Sequence, residues 1–209
     1  MGTTVEANNI NIWYEEYGDQ TKETILLIMG ANANCMQWDR EFIDQLVAND
    51  YHVVRFDNRD VGKSTRFGKE PAFNKILKIF PNFLLRMIVN SIFGLAVDEK
   101  GRFKFSESSS AQYDLSDMAK DAVSLMDTLK IDKAHIIGAS MGGMITQIVA
   151  LDYPERVLSI TPIMTSPGVQ NDSLSGPTKE LLEAMKKSFI FNLKGRIDDG
   201  VVEIYRQLT

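Results

Sequence analysis

Several classes of chemistry depend on residues that this sequence barely contains. There is one cysteine, Cys35, and there are two histidines, His52 and His135. A lone cysteine excludes an internal disulfide framework and fits a reducing compartment. Two histidines are too few for a histidine-rich metal site. Positive charge is also short. Lys and Arg number 23 against 28 Asp and Glu, a net charge of −5, which argues against a nucleic-acid binder that needs a basic face for phosphates. Long apolar runs are missing as well. The greasiest stretch, Ile76 to Val97, is interrupted by Lys78, Pro81, Asn82, Arg86, Asn90 and Ser91, so it does not read as a membrane span. The first residues carry Glu6 and several Asn, without the basic and apolar regions of a secretory leader. The expectation is a cytoplasmic protein with no nucleic-acid partner and no stable membrane insertion.

What remains is ample for one ordinary core: 209 residues, 44% of them hydrophobic and 24% charged. Thr3 to Tyr17 reads as two short strands around the turn-prone pair Asn8-Asn9. Its second half alternates Ile10, Ile12 and Tyr14 with polar neighbours, as a half-buried strand does. The continuous apolar run TILLIM (24–29) ends at Gly30 and predicts a strand buried on both faces. A helix is expected over Gln37 to Ala48 and a strand over Tyr51 to Phe56. The greasy stretch predicts one or two helices. Asp114 to Lys130 predicts a helix with Leu115, Met118, Ala119, Ala122, Met126 and Leu129 on one face and Asp114 as its cap. Ala134 to Ala139 reads as a strand, Gly142 to Leu151 as a helix, and Arg156 to Ile163 as a strand. From Ser175 the pattern is helical and more polar, with a break at Gly195. Strands alternating with helices imply right-handed crossovers and a mostly parallel sheet after an antiparallel start, in a three-layer α/β domain.

The chemistry resides in Gly138-Ala139-Ser140-Met141-Gly142, a G-x-S-x-G pattern followed by Gly143. Its context carries the weight, because a buried strand runs into it and a helix starts directly after it. In that setting the pattern is a nucleophile elbow. The turn forces Ser140 into a strained backbone conformation, and Gly138 and Gly142 let the turn and helix pack without collision. Ser140 is held at the carboxyl end of the sheet, above the amino end of a helix, where free backbone N–H groups can stabilise an oxyanion.

With this motif, the segments LLIMGANANCMQW, VVRFDNRDVGKST, YDLSDMAKDAVSLMDTL and AHIIGASMGGMITQIVALDYPERV make the chain resemble the α/β-hydrolase superfamily. Within it the chain is similar to the branch of serine esterases that includes aclacinomycin methylesterase. The resemblance covers most of residues 1–166. It implies Ser140 as nucleophile and the backbone N–H groups of Ala31 and Met141 as the oxyanion hole. It also implies a hydrolase core over 1–166 with a helical insert at about 70–110, and the start of a helical cap at 167–209.

One departure stands out. The triad order in this fold is Ser, then Asp or Glu, then His, yet no histidine follows Ser140. His135 lies on the strand leading to the elbow, and His52 at the beginning of its own strand, at the opposite end of the sheet. Both read as structural or surface histidines. The C-terminal part that would carry the triad acid and histidine is absent from these 209 residues. Three explanations compete: an incomplete version of a longer protein, a product of early termination or cleavage, and a member that has lost catalysis. The intact elbow favours the first two. Ending after a sixth strand leaves VLSITPI as an unpaired apolar edge, so either a missing segment or another copy of the chain is expected to cover it.

The remaining features have plainer readings. Gly62-Lys63-Ser64 imitates the end of a phosphate loop, but the glycine required five positions earlier is Asp57. Asp57 and Arg59 are expected to make local hydrogen bonds and ion pairs. Cys35 is expected to be a buried, inert thiol. The apolar side of Ile76 to Val97 is expected to line or cover a substrate pocket in preference to approaching lipid, which favours a small hydrophobic ester. Asn171-Asp172-Ser173 matters only in a secreted chain. Taken with the resemblance, the expected function is hydrolysis of a carboxylic ester through a serine acyl-enzyme, without metal or organic cofactor. The alternative is a non-catalytic ligand-binding or regulatory domain on the same scaffold.

Overall fold

Asn8 and Asn9 both take positive φ, 50° and 60°, and fold the first residues back on themselves. Asn is among the few non-glycine types that adopt this region readily. The hairpin pairs β1 (Thr3–Ala7) with β2 (Ile10–Tyr17), and β2 runs antiparallel to β4 (His52–Phe56). From β4 onward the pairing is parallel: β3 (Thr24–Ile28) lies between β4 and β5 (Ala134–Ala139), and β6 (Val157–Ile163) pairs with β5. The resulting order is β1-β2-β4-β3-β5-β6. These features come from a computed structural model that describes residues 2–68, 79–96, 112–167, 178–194 and 202–203.

The chain divides into two compact units: Met1–Gly68 with Ser110–Gly168, and Lys69–Ser109 with Val169–Thr209. The sheet belongs to the first. β3 is buried along its whole length, and its side chains alternate between two hydrophobic clusters. Leu26 and Ile28 join Val54, Phe56 and Ile136 under helices α3 (Leu115–Thr128) and α4 (Met141–Asp152). Ile25 and Leu27 join Val53, Trp38 and Ile43 on the face covered by α1 (Arg40–Ala48). Two helical layers around a largely parallel sheet require both sheet faces to be apolar, and the near-continuous aliphatic runs supply that.

The expected elements stand with small shifts at their ends. The helix expected from Gln37 begins at Arg40, because Asp39 accepts the N–H of Glu41 as its cap and the residues before it form a separate 3-10 turn, Cys35–Gln37. Asp114 closes a capping box with Asp117 at the start of α3. β6 forms one edge of the sheet, and most of its residues are exposed, Leu158 and Ile160 among them.

In the second unit α2 (Asn82–Ala96) packs on α5 (Lys179–Leu193). Leu85 and Leu193 are buried between them, with Phe80, Ile88 and Ile190 alongside. The break expected at Gly195, the Asn171 sequon and most of the cap expected over 70–110 and 167–209 lie outside the described residues.

Candidate active site

Ser140 occupies the single position between the end of β5 and the first residue of α4. Its backbone sits at φ 53°, ψ −119°, a region that costs a non-glycine residue on the order of 1–3 kcal/mol. Neighbours hold it there. The Ser140 N–H donates to the carbonyl of Ile163 at 2.8 Å, and the Ser140 carbonyl accepts from Gly143 at 2.9 Å and Met144 at 3.3 Å. The hydroxyl does not cap the helix, and Ser140 is exposed. An unspent hydroxyl on a strained, fastened backbone is the local signature of a nucleophile elbow.

The motif glycines are explained by backbone packing. A Cβ on Gly142 would stand 2.2 Å from the carbonyl oxygen of Ile28, and one on Gly138 would stand 2.2 Å from the carbonyl oxygen of Gly142. Either would push β5, the elbow and α4 apart. Gly30 also approaches the elbow, less tightly. A Cβ there would lie 3.1 Å from the Cβ of Ser140 and 3.6 Å from its Oγ. The loop after β3 thus passes directly beside the serine.

That loop carries Ala31, which is exposed and whose N–H has no hydrogen-bond partner among the described residues. Met141 is the first residue of α4, where N–H groups have no intrahelical acceptor and the helix dipole presents its positive end. The structure brings Ser140, Gly30, Met141, Gly138 and Gly142 together at the carboxyl end of the sheet.

Buried polar groups behind this loop fix its course. Asn58 donates from Nδ2 to the carbonyl of Met29 at 2.8 Å, and Asp57 accepts the N–H of Cys35 at 2.9 Å. Arg55 donates to the carbonyl of Trp38 at 3.1 Å and is paired with Glu15. Burial pushes the Glu15 carboxyl up, but hydrogen bonds from Tyr17 and Arg55 outweigh it and leave the group below the usual carboxylate range. Asp57 also accepts from the N–H of Lys63, and Arg59 forms a buried pair with Asp121 of α3 at 2.6 Å. The bond from Lys63 to Asp57 is of the local kind expected, whereas Arg59 pairs with a residue 62 positions away. Arg55 and Asn58 were not singled out from sequence. Their signal was a polar side chain at the end of a buried strand, which periodicity alone does not separate from a solvent-facing one.

Cys35 is fully buried, and burial, then the charge of Asp57, push its thiol pKa far up. Both effects disfavour the thiolate, the reactive form of a cysteine. Among the described residues no three His, Cys, Asp or Glu side chains converge as metal ligands do.

Both histidines stand away from the serine. His52 pairs in register with Thr24, and Thr24 with Ala134, all at the amino ends of the parallel strands. His135 is five residues before Ser140 on β5, about 16 Å at the rise of an extended strand. It lies 2.7 Å from Ser159 Oγ and 3.3 Å from Glu23. His52 is 2% exposed, with Nδ1 3.0 Å from Thr24 Oγ1. Its Nε2 stands 3.2 Å from Glu16 but off the line of a hydrogen bond. Neither imidazole can take a proton from Ser140.

The α/β-hydrolase fold family matches residues 23–194. With the sheet order and the elbow, this shows that the chain belongs to the α/β-hydrolase family, whose members carry the esterase relatives described next. A rhodomycin D methylesterase of Streptomyces sp. strain C5 is 28% identical over 160 residues, 77% of this chain and 41% of that protein. The rhodomycin D methylesterase of Streptomyces peucetius is 29% identical over 167 residues, 78% of this chain and 42% of that protein. The chain spans about two fifths of the length of these curated relatives. Among solved structures, a membrane phospholipase A described as a bacterial virulence factor superposes with TM-score 0.60 at 21% identity, covering 100% of this chain and 62% of that one. At that identity the likeness shows the fold alone. The protein is a hydrolase-family member similar to methylesterases, and no helix among its described residues is long and apolar enough to cross a membrane.

Proposed function

We propose that the protein is the nucleophile-bearing part of a serine hydrolase that cleaves small hydrophobic carboxylic esters. Ser140 Oγ attacks the ester carbonyl carbon as its proton passes to a general base. The carbonyl oxygen becomes an oxyanion held by the N–H groups of Ala31 and Met141. Collapse of that intermediate breaks the bond to the alcohol, which leaves with a proton and gives an acyl-enzyme. Water then adds to the acyl carbon, and the acid departs from Ser140. The observation that carries this reading is the strained Ser140 at φ 53°, exposed above the start of α4 and beside Gly30. Similarity to two methylesterases supports an ester as the substrate class.

The reading takes the general base and its carboxylate partner from outside residues 1–209, because neither histidine reaches the serine. An oxyanion hole with a nucleophile but no base retains only residual catalysis over water. The same reading has the exposed edge of β6 covered by further chain or a second copy, a cytoplasmic location, and no metal or organic cofactor. A fluorophosphonate probe tests it. Strong labelling by a longer piece of the protein, weak labelling by residues 1–209, and none by either after Ser140→Ala is the expected pattern. Labelling of neither piece favours the second reading, a non-catalytic binding domain, for which the distant placement of both histidines is the supporting observation.

A further inference from the structure

Eight non-glycine residues among those described take positive φ. Asn8, Asn9, Asn32, Asp50 and Asp60 are of the types that enter this region readily. Lys130 directly follows the last turn of α3, and its N–H donates to the Asp127 carbonyl at 3.0 Å, where a left-handed residue closes a helix. Two residues remain, Ser140 at 53° and Met164 at 48°. A long apolar side chain gains nothing from that region, and strained backbone collects where chemistry or ligand contact takes place. Ser140 is the candidate nucleophile. Met164 neither ends a helix nor turns a hairpin.

The two lie side by side. Ala139 pairs with Ile163 at the last step of the β5–β6 register, so Met164 is level with Ser140 at the carboxyl end of the sheet. The Ser140 N–H donates to the Ile163 carbonyl at 2.8 Å. That carbonyl belongs to the peptide leading into Met164, which puts the Met164 Cα within about 6 Å of the Ser140 nitrogen. The loop is fastened in this place. Gln147 of α4 donates from Nε2 to the carbonyls of Gly143 at 3.1 Å and Ser166 at 3.0 Å. Thr165 presses on the same helix, since a Cβ on Gly143 would stand 2.5 Å from its Cγ2. Ile163 packs on the cluster that holds Ala139, but Met164 is 52% exposed and belongs to no core. Further chain over the edge of β6 would meet Leu158 and Ile160 along the strand, whereas Met164 lies past the last paired residue, beside the serine.

We infer that Met164 is a specificity-determining residue whose thioether side chain contacts the apolar part of the substrate on the β6 side of Ser140. The inference rests on the serine-hydrolase reading. Methionine suits that place, because its rotatable bonds and polarisable sulfur let it follow alkyl groups of differing shape. Contact with it favours esters that carry an extended alkyl or ring group beside the carbonyl over those that offer only a short one.

The test compares how fast an ethyl and a decyl fluorophosphonate label Ser140, read by intact mass on the 209-residue protein and on a longer piece. Expected is a decyl-to-ethyl rate ratio about fivefold lower in Met164→Asn than in the parent, with Met164→Leu keeping the parent's ratio. Asparagine adopts positive φ readily, so the turn survives the change, and the melting temperature checks this. The ratio cancels the slow labelling expected without a general base. An unchanged ratio in Met164→Asn overturns the inference and leaves the serine reading standing. Equal loss of both rates does the same, because it marks Met164 as shaping the turn alone. An unchanged ratio with a melting temperature lowered only in the longer piece assigns Met164 to contact with further chain and also overturns it. Absence of labelling in both pieces of the parent overturns the serine reading, and the inference with it.

Discussion

The two ends of the parallel sheet are built on opposite plans. At the carboxyl end, backbone is forced close together and held under strain: Ser140 at φ 53°, Gly142 against Ile28, and Gly30 against Ser140. Buried charges fasten the surrounding loops, Arg55 with Glu15 and Arg59 with Asp121. At the amino end, positive φ values at Asp50 and Lys130 belong to turns, and His52 and His135 make contacts with Thr24, Glu16, Ser159 and Glu23 that stitch neighbouring strands together. A positive φ held by close backbone contacts at a strand-to-helix junction locates chemistry better than residue type does. By residue type alone, the histidines would have been the first places to look.

That contrast can be broken in order of effect. Asp121→Ala leaves the Arg59 guanidinium buried without its partner and is expected to cost about 3–5 kcal/mol, read by urea unfolding. Burial lowers the Arg59 pKa, but Asp121 more than offsets this and the net direction is up. With the carboxylate removed the guanidinium stays charged, because an arginine does not deprotonate in proteins. A loss under about 1 kcal/mol would mean that the carboxyl end is not held by this pair.

Gly142→Ala is expected to cost about 3 kcal/mol, because its new methyl meets the Ile28 carbonyl and neither partner is a movable side chain. On the serine-hydrolase reading, the same substitution displaces Ser140 and abolishes fluorophosphonate labelling of a longer piece of the protein. Ser140→Gly goes the other way. It removes the side chain from a positive φ and should stabilise the fold by about 1 kcal/mol while eliminating labelling. Destabilisation by this variant would remove the argument for strain at the elbow.

The smallest effect belongs to the amino end. Burial lowers the His52 pKa below its usual value, with Glu16 opposing, so the folded protein binds this proton less readily than the unfolded chain. The unfolded chain binds its proton near pH 6.5. Stability from this group is therefore present above that pH and is lost as the pH falls through the folded value. Unfolding measured at successive pH values below neutrality should fall less steeply for His52→Gln than for the parent. An unchanged slope would show that the amino end contributes no pH dependence through this residue.

Most of the architecture could be read without coordinates, because aliphatic runs and capping residues are local signals. TILLI had to be a strand buried on both faces, and Asp114 had to start a helix. The elbow was legible for the same reason: its glycines and its strand-to-helix setting lie within a dozen residues. Arg55 and Asn58 were not, since their roles depend on carbonyls 17 and 29 residues away in sequence. The outward face of α2, where Phe83 and Met87 are exposed, was half legible. Its apolar content was plain in the sequence, but which side was already spent on α5 was not.

The sequence by itself determined the order of strands and helices, the strained serine and the distance of His135 from it, because these follow from local patterns and from spacing along one strand or one turn. Only the tertiary structure decided that the loop after β3 passes beside Ser140, that buried polar groups hold that loop, and that one apolar side of α2 remains exposed. Those are contacts between distant parts of the chain, and folding brings them together through burial of surfaces that no local pattern pairs in advance.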